Sequence, residues 1–241
     1  MIGRLAGTAP SRGHRRLALL ALVLVAGMSL SAAAADRMRF LALGDSYTIG
    51  EGVDAEGRWP AQLARHLRAD GIAIGDPDIV ATTGWTTDEL SAAMDAHTFA
   101  PPYALVTLLI GVNNQYRGRS LANYREEFAA LVARAIALAG ERADHVVVVS
   151  IPDWGVTGFA RDHGRDAHRV AIEIDAFNET AREIARDRGV AFVDVTPLSR
   201  TAGDDPAMLV ADRLHPSAAQ YALWTDAVLV AARHALARTP R

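Results

Sequence analysis

The chain has no cysteine and no lysine among its 241 residues. The first absence excludes disulfides, thiolate nucleophiles, Cys-ligated zinc and iron–sulfur clusters together. It also excludes a lipid-modified amino-terminal Cys. The second excludes a phosphate loop of the kind that closes on Lys. All 25 basic residues are therefore Arg. Four of them (Arg4, Arg12, Arg15 and Arg16) fall in the first 35 residues, which contain no acid. The remainder carries 21 Arg against 28 acidic residues, a net of −7. An acidic domain of this kind is a poor match for nucleic acid, whose binding depends on neutralising phosphates. What is present is the composition of a globular chain. Half the residues are hydrophobic, 22% are charged, and Gly and Pro number 19 and 10. Disorder and collagen-like repeats are out, and the length suits one α/β domain plus extras.

Residues Leu17 to Ala35 are almost uniformly apolar or small, and they follow the basic group Arg12, His14, Arg15 and Arg16. Ala33, Ala34 and Ala35 precede Asp36. This order of charge, apolar run and small residues is that of a secretory signal, with cleavage expected after Ala35 and export to the periplasm or the outside. The competing account is an uncleaved anchor helix. Nineteen residues just reach across a bilayer, but the many Ala and Gly weaken that account. No stable membrane insertion is expected once the signal is removed. Residues 36–241 are read as the folded domain.

That domain alternates strand and helix patterns. Arg39–Leu43, Ile72–Val80, Ala104–Ile110, His145–Ile151 and Val190–Val195 read as strands. Asp76-Pro77 interrupts the second, and the fourth carries four consecutive Val. Trp59–Leu67, Thr87–Ala96, Leu121–Leu138, Ala167–Asp187 and Ser217–Leu236 read as helices from their apolar spacing and from caps such as Thr86 and Gly140. Alternation of this kind predicts a parallel sheet covered on both faces, with right-handed crossovers. Such sheets bind ligands at the carboxyl ends of their strands, so function is sought there.

After the first strand comes Gly44-Asp45-Ser46. A Ser at a sharp strand-to-helix turn can expose its hydroxyl above the sheet, beside free backbone amides; the same tripeptide is also ordinary turn chemistry. After the second strand, Gly84 can present its N–H without a side chain in the way, or simply make a turn. After the third, the amide of Asn113 in Gly111-Val112-Asn113-Asn114 is a neutral donor suited to an oxyanion, or again a turn residue. Past the last strand, Asp212 precedes His215 by three residues and Pro216 opens a helix. An Asp so placed can accept Nδ1–H and leave Nε2 as a base. The competing group of Asp162, His163, Asp166 and His168 sits in a polar loop and reads as solvated, not as a metal site. Jointly, the strand-end residues divide into nucleophile, base, base-orienter and oxyanion donors.

With these blocks in this order, residues 38–230 resemble the SGNH hydrolases, the GDSL lipase/esterase family. Gly44-Asp45-Ser46 matches the first block, Gly84 the second, Gly111-Val112-Asn113-Asn114 the third, and Asp212 with His215 the last. The resemblance implies a flavodoxin-like α/β/α three-layer sandwich and ester hydrolysis through an acyl-Ser. It implies Ser46 as nucleophile, His215 as base and Asp212 as its orienter. It also implies an oxyanion hole of the Ser46 and Gly84 amides and the Asn113 side chain. It implies no cofactor and no metal. Asn114 departs from the usual Asp of the third block, which puts fine positioning in question.

Trp85, Val112 and Trp154 are candidates for the substrate pocket, as are Tyr116 and the segment Ile151–Phe159; the large aromatics equally suit a covering of the sheet edge. Thr196–Ala211 could wall the pocket or cover it as a lid. Short-chain or lipid carboxylic esters are the default substrates, with lysophospholipids, thioesters and O-acetylated sugars open. Two other classes stay in view: a silent module binding cell-envelope glycan, and metal-dependent hydrolysis at His163/His168. Asn178-Glu179-Thr180 matches a glycosylation acceptor but falls inside an expected helix, so it reads as chance.

Overall fold

The structure is a computed structural model that describes Gly3 and residues 37–237. The segment read as an export signal therefore lies outside the described residues. Five strands form one parallel sheet in the order β2-β1-β3-β4-β5. They are β1 Met38–Gly44, β2 Ile74–Ala81, β3 Leu105–Leu109, β4 Val146–Val149 and β5 Ala191–Val193. The central strands are apolar without alternation because both of their faces are covered. Leu41, Ala42 and Leu43 in β1 and Leu105, Val106 and Leu108 in β3 are fully buried.

The interruption expected at Asp76-Pro77 takes the form of an irregularity in register at that place and does not end the strand. Pro77 stands within β2 opposite Phe40, and the register slips once between Met38 and Phe40. Position in the sheet explains this: β2 is an edge strand, where a residue without an N–H costs no ladder bond on the open side.

The long helices are α2 Trp59–Ala69, α3 Thr87–Ala96, α5 Leu121–Leu138, α7 Ala167–Asp187 and α9 Ala218–Ala237. Helices α2 and α9 pack together over one face of the sheet, and α3, α5 and α7 over the other. This is the α/β/α three-layer sandwich. Trp59, fully buried, joins the layers: its Nε1 donates to the Tyr47 carbonyl (3.1 Å), and its own carbonyl accepts from Thr225 Oγ1 (3.3 Å). The remaining helices are short and escaped the sequence reading: α1 Ser46–Ile49, α4 Val112–Tyr116, α6 Gly158–Asp162 and α8 Thr196–Ala202. One or two turns do not display a helical period.

Strand order changes direction between β1 and β3, since the chain leaves β1 for β2 on one side and β3 leads to β4 on the other. The crevice above their carboxyl ends is the ligand position of doubly wound sheets. Gly44 and Leu109, the last residues of the two strands, are paired there. Gly44 allows α1 to fold back over this junction. A Cβ at Gly44 would meet Thr48 Oγ1 and would lie 2.5 Å from the Leu109 carbonyl oxygen.

This contact sets an expectation for stability. Gly44→Ala must displace backbone, and overpacking of this kind costs about 1–3 kcal/mol. Gly75→Ala should be nearly neutral, because the nearest atom to a Cβ there is 3.7 Å away. Urea midpoints of the two variants check this; equal midpoints would show that the junction yields freely.

Candidate active site

Ser46 is the first residue of α1. The Asp45 side chain caps the helix by accepting from the Tyr47 amide (3.0 Å), and the Ser46 amide makes no turn or cap hydrogen bond among the described residues. Gly84 follows β2 in a left-handed conformation (φ 88°), and its amide is likewise uncommitted. The Gly84 carbonyl is held by Arg117 Nη2 (2.7 Å), whose other nitrogen pairs with Glu89 (3.2 Å). Asn113 lies in α4, which begins directly after β3, and its Nδ2 donates one hydrogen to the Trp85 carbonyl (2.9 Å). A primary amide has two such hydrogens, so one remains for a bound oxygen. Three N–H donors thus come from three strand ends to one place.

His215 is 8% exposed and lies on the loop before α9. Its Nδ1 is 2.6 Å from Asp212 Oδ2, and Asp212 Oδ1 accepts from the amides of Leu214 (2.8 Å) and His215 (3.0 Å). Burial alone would raise the Asp212 carboxyl, but the His215 ring and these two amides outweigh it and hold the group below its ordinary range. An ionised Asp212 keeps a proton on Nδ1 and leaves Nε2 as the acceptor. Between them, Arg213 adopts φ 59°. Its guanidinium pairs with Asp162 (2.7 Å) and Asp204 (2.8 Å) and lies against Gly158, where a Cβ would collide with it. Its carbonyl accepts from the Phe159 amide (3.1 Å). The loop carrying His215 is therefore pinned on both sides.

Ser46, Gly84, Asn113 and His215 line one cavity of about 210 Å³, together with Tyr47, Thr83, Val112, Tyr116, Trp154, Phe159 and Leu214. Ser46 and His215 are not directly hydrogen-bonded, and such contacts commonly tighten only when substrate binds. Of the expected pocket residues, Val112 and Trp154 are in the lining, whereas Trp85 is not. Trp85 packs against the core, and its backbone orients Asn113. No residue of Thr196–Ala211 lines the cavity either. That stretch braces the floor from behind: Ser199 Oγ accepts from the Asp153 amide (2.8 Å), and Arg200 pairs with the buried Asp153 (2.8 Å). Tyr47 and Leu214 are neighbours of catalytic candidates in sequence, the one signal that would have found them.

Asn114 turns away from the cavity and is fully buried. Its Oδ1 accepts from the Thr87 amide (3.0 Å) and its Nδ2 donates to Thr87 Oγ1 (2.6 Å), whose proton passes to Glu127. An Asp here would compete with Glu127 for that hydroxyl proton, so Asn suits this neighbourhood. The His163 group also has local employment. Asp162 pairs with Arg213, Asp166 caps α7, and the His163 ring stacks on Phe159 at 4.0 Å. Among the described residues no three His, Asp or Glu gather as metal ligands would. Asn178 is buried, donating to the Ile151 carbonyl (2.9 Å) and accepting from its amide (2.8 Å), so it is no surface acceptor for a glycan.

Asp45 is wholly buried and its Oδ2 has no partner. Burial raises its pKa from 3.8 to about 7, against the lowering effect of the Tyr47 amide. The folded state therefore binds a proton that the unfolded chain releases near pH 4, and stability is lost as the pH rises through about 7. Asp45→Asn cannot ionise. Its melting temperature should gain on the wild type between about pH 4 and 7 and run parallel above about pH 8. A constant gap across that range would show that Asp45 takes up no proton on folding.

The fold has counterparts among known proteins. The family profile described as GDSL-like Lipase/Acylhydrolase matches residues 42–223. Comparison with curated proteins returned no match. Among solved structures, TesA is 22% identical with a TM-score of 0.65, covering 83% of this chain and 100% of its own. A lipase/acylhydrolase from Enterococcus faecalis is 21% identical with a TM-score of 0.64, covering 85% and 99%. A variant of the acetyl xylan esterase Axe2 from Geobacillus stearothermophilus is 21% identical with a TM-score of 0.61, covering 85% and 97%. At such identities the likeness establishes the fold. The profile match spans every block from Gly44 to His215, and by it the chain belongs to the GDSL-like lipase/acylhydrolase family, serine hydrolases of the SGNH type that act on ester bonds.

Proposed function

We propose that the protein hydrolyses short-chain carboxylic esters by two-step acyl transfer, with Ser46 as nucleophile, His215 as general base and acid, and Asp212 as its orienter. One observation carries this reading: the His215–Asp212 pair, Ser46 and three uncommitted N–H donors meet at a single, largely apolar cavity. In the first step His215 Nε2 takes the Ser46 proton while Oγ attacks the ester carbonyl. The oxyanion is received by the Ser46 and Gly84 amides and Asn113 Nδ2, each such donor being worth about 3–4 kcal/mol of barrier. His215 then protonates the departing alcohol, and water repeats the sequence on the acyl-Ser.

The size of the cavity supports small acyl groups. About 210 Å³ is below the roughly 300–1,000 Å³ of sites that enclose drug-sized ligands. Acetylated sugars, the substrate class named for the acetyl xylan esterase with this fold, are the second reading that a small acyl pocket favours. Export through a signal ending at Ala35 belongs to the same proposal; the terminus of the mature secreted protein, read by sequencing, tests it. Among the described residues no helix is long and apolar enough to cross a membrane.

Hydrolysis of 4-nitrophenyl esters from acetate to palmitate tests the chemistry and the pocket together. Turnover should peak at short chains and fall on the order of 10⁴-fold or more in Ser46→Ala. Asp212→Asn should lose about 10⁴-fold in kcat with the fold intact, because the ring then loses its fixed tautomer. Asn113→Ala should lose about 10²–10³-fold in kcat. Turnover that survives Ser46→Ala would remove Ser46 from the mechanism.

A further inference from the structure

The cavity at Ser46 is bounded by an aromatic partition with a second cavity behind it. Tyr116 and Trp154 line the first, and the same two rings line another of about 380 Å³. Gln115, Arg165, Asp166, Arg169 and Glu173 supply the polar side chains of that second cavity. The partition is held in place by side-chain hydrogen bonds. Trp154 Nε1 donates to Gln115 Oε1 (2.8 Å), Gln115 Nε2 donates to Glu173 Oε2 (2.7 Å), and Arg169 Nε donates to Glu173 Oε1 (2.8 Å).

The two Arg and two acidic residues around this second space balance in number but are unevenly paired. Glu173 is satisfied by Arg169 and Gln115, which hold it below its ordinary range. Asp166 accepts from the amides of His168 (3.0 Å) and Arg169 (3.2 Å). Arg165 forms no direct ion pair with a carboxylate among the described residues, although its charge adds to those that lower Glu173. Its guanidinium lies 4.9 Å from the Tyr116 ring centroid and 5.9 Å from that of Trp154. A guanidinium held over aromatic rings in this way keeps N–H donors for a further ligand. Those donors match a carboxylate presented edge-on, in the bidentate manner. Tyr116 is 42% exposed, so a chain leaving the first cavity can pass over it to reach Arg165. At Thr83, another residue lining the first cavity, the attached charge has the opposite sign, for Thr83 Oγ1 donates to Glu51.

We propose that the second cavity is a subsite for a carboxylate carried by the ester substrate, and that Arg165 is the residue that selects it. Its role as part of a substrate site rests on the esterase reading above. A single negative charge fits better than two, because Asp166 and Glu173 share the cavity with Arg165. The substrate class is therefore a half-ester or an acylated hydroxy acid, with its carboxylate one aromatic ring beyond the scissile carbonyl.

Two ester pairs test the acyl and alcohol sides separately: 4-nitrophenyl valerate against 4-nitrophenyl hydrogen glutarate, and phenyl acetate against 4-acetoxybenzoate. With kcat/KM normalised to hydroxide-catalysed hydrolysis, the anionic member of one pair should be preferred roughly tenfold. The preference should vanish in Arg165→Gln, persist in part in Arg165→Lys and reverse in Arg165→Glu. About 0.5 M salt should erode it, which a purely structural role would not produce. Calorimetric binding of glutaric acid monoanilide and valeranilide to the full chain reads the same preference without turnover. Tighter binding of the acid, lost in Arg165→Gln, would support the subsite even if no ester were hydrolysed, a result that would overturn only the esterase reading. Equal kcat/KM within both pairs and equal binding of the two anilides would overturn the subsite while Ser46-dependent turnover stood. A preference unchanged by Arg165→Gln would overturn it as well.

Discussion

The pairing of β1 with β3 is the constraint on which the site depends. Gly44 and Leu109 end those strands side by side, and the nucleophile and the Asn113 donor are placed with reference to that junction. Ser46 follows one strand and Asn113 the other, so backbone ladder geometry sets the distance between nucleophile and oxyanion donor. Close approach at Gly44 makes the placement tight, because α1 rests on the strand ends with no side chain between. His215 is positioned differently. It arrives on a loop, and a loop holds an imidazole only if something else fixes it. Arg213 supplies that restraint through Asp162, Asp204 and the strained backbone it occupies.

Burial near the nucleophile has an energetic cost that the fold carries. Asp45 is enclosed with one oxygen unpartnered, and Thr48 Oγ1 beside it also lacks a partner. A buried polar atom without a hydrogen bond costs about 1–3 kcal/mol. Elsewhere the polar interior is mixed: Asn178 closes on both backbone groups of Ile151, and Ser150 Oγ accepts from the amides of Val195 (2.8 Å) and Thr196 (3.2 Å), whereas Thr107 Oγ1, His145 Nε2, Tyr221 Oη and Trp224 Nε1 also lack a partner among the described residues. Asp45 Oδ2 and Thr48 Oγ1 belong to the turn that presents Ser46, where local rules give way to a functional geometry.

Much of this was legible in the sequence. The strands and long helices announced themselves by apolar runs and by spacing, and Thr87–Ala96, Leu121–Leu138 and Ala167–Asp187 have the bounds their patterns suggested. The strand-end residues were legible because a parallel sheet collects whatever follows its strands. Illegible features depended on neighbours distant in the chain. Pro77 is harmless only because β2 lies at an edge. Trp85 packs on the core and offers Asn113 only its carbonyl, and Thr196–Ala211 holds Asp153 through Ser199 and Arg200 without lining the cavity. The partition of Tyr116 and Trp154 joins residues 38 positions apart through Gln115, a link that no local pattern encodes.

Asn113 and Asn114 are chemically identical neighbours with opposite orientations, one toward the cavity and the other sealed against Thr87. Their assignments are fixed by position alone, counted from Gly111, whose φ of 128° and contact with the Tyr124 ring set where α4 begins. Loop length at this point is consequently part of the recognition machinery. Inserting or deleting one residue between Gly111 and Asn114 would shift at most one amide into the other's place and leave the second duty unfilled, so this short segment should resist the length variation that surface connections normally tolerate.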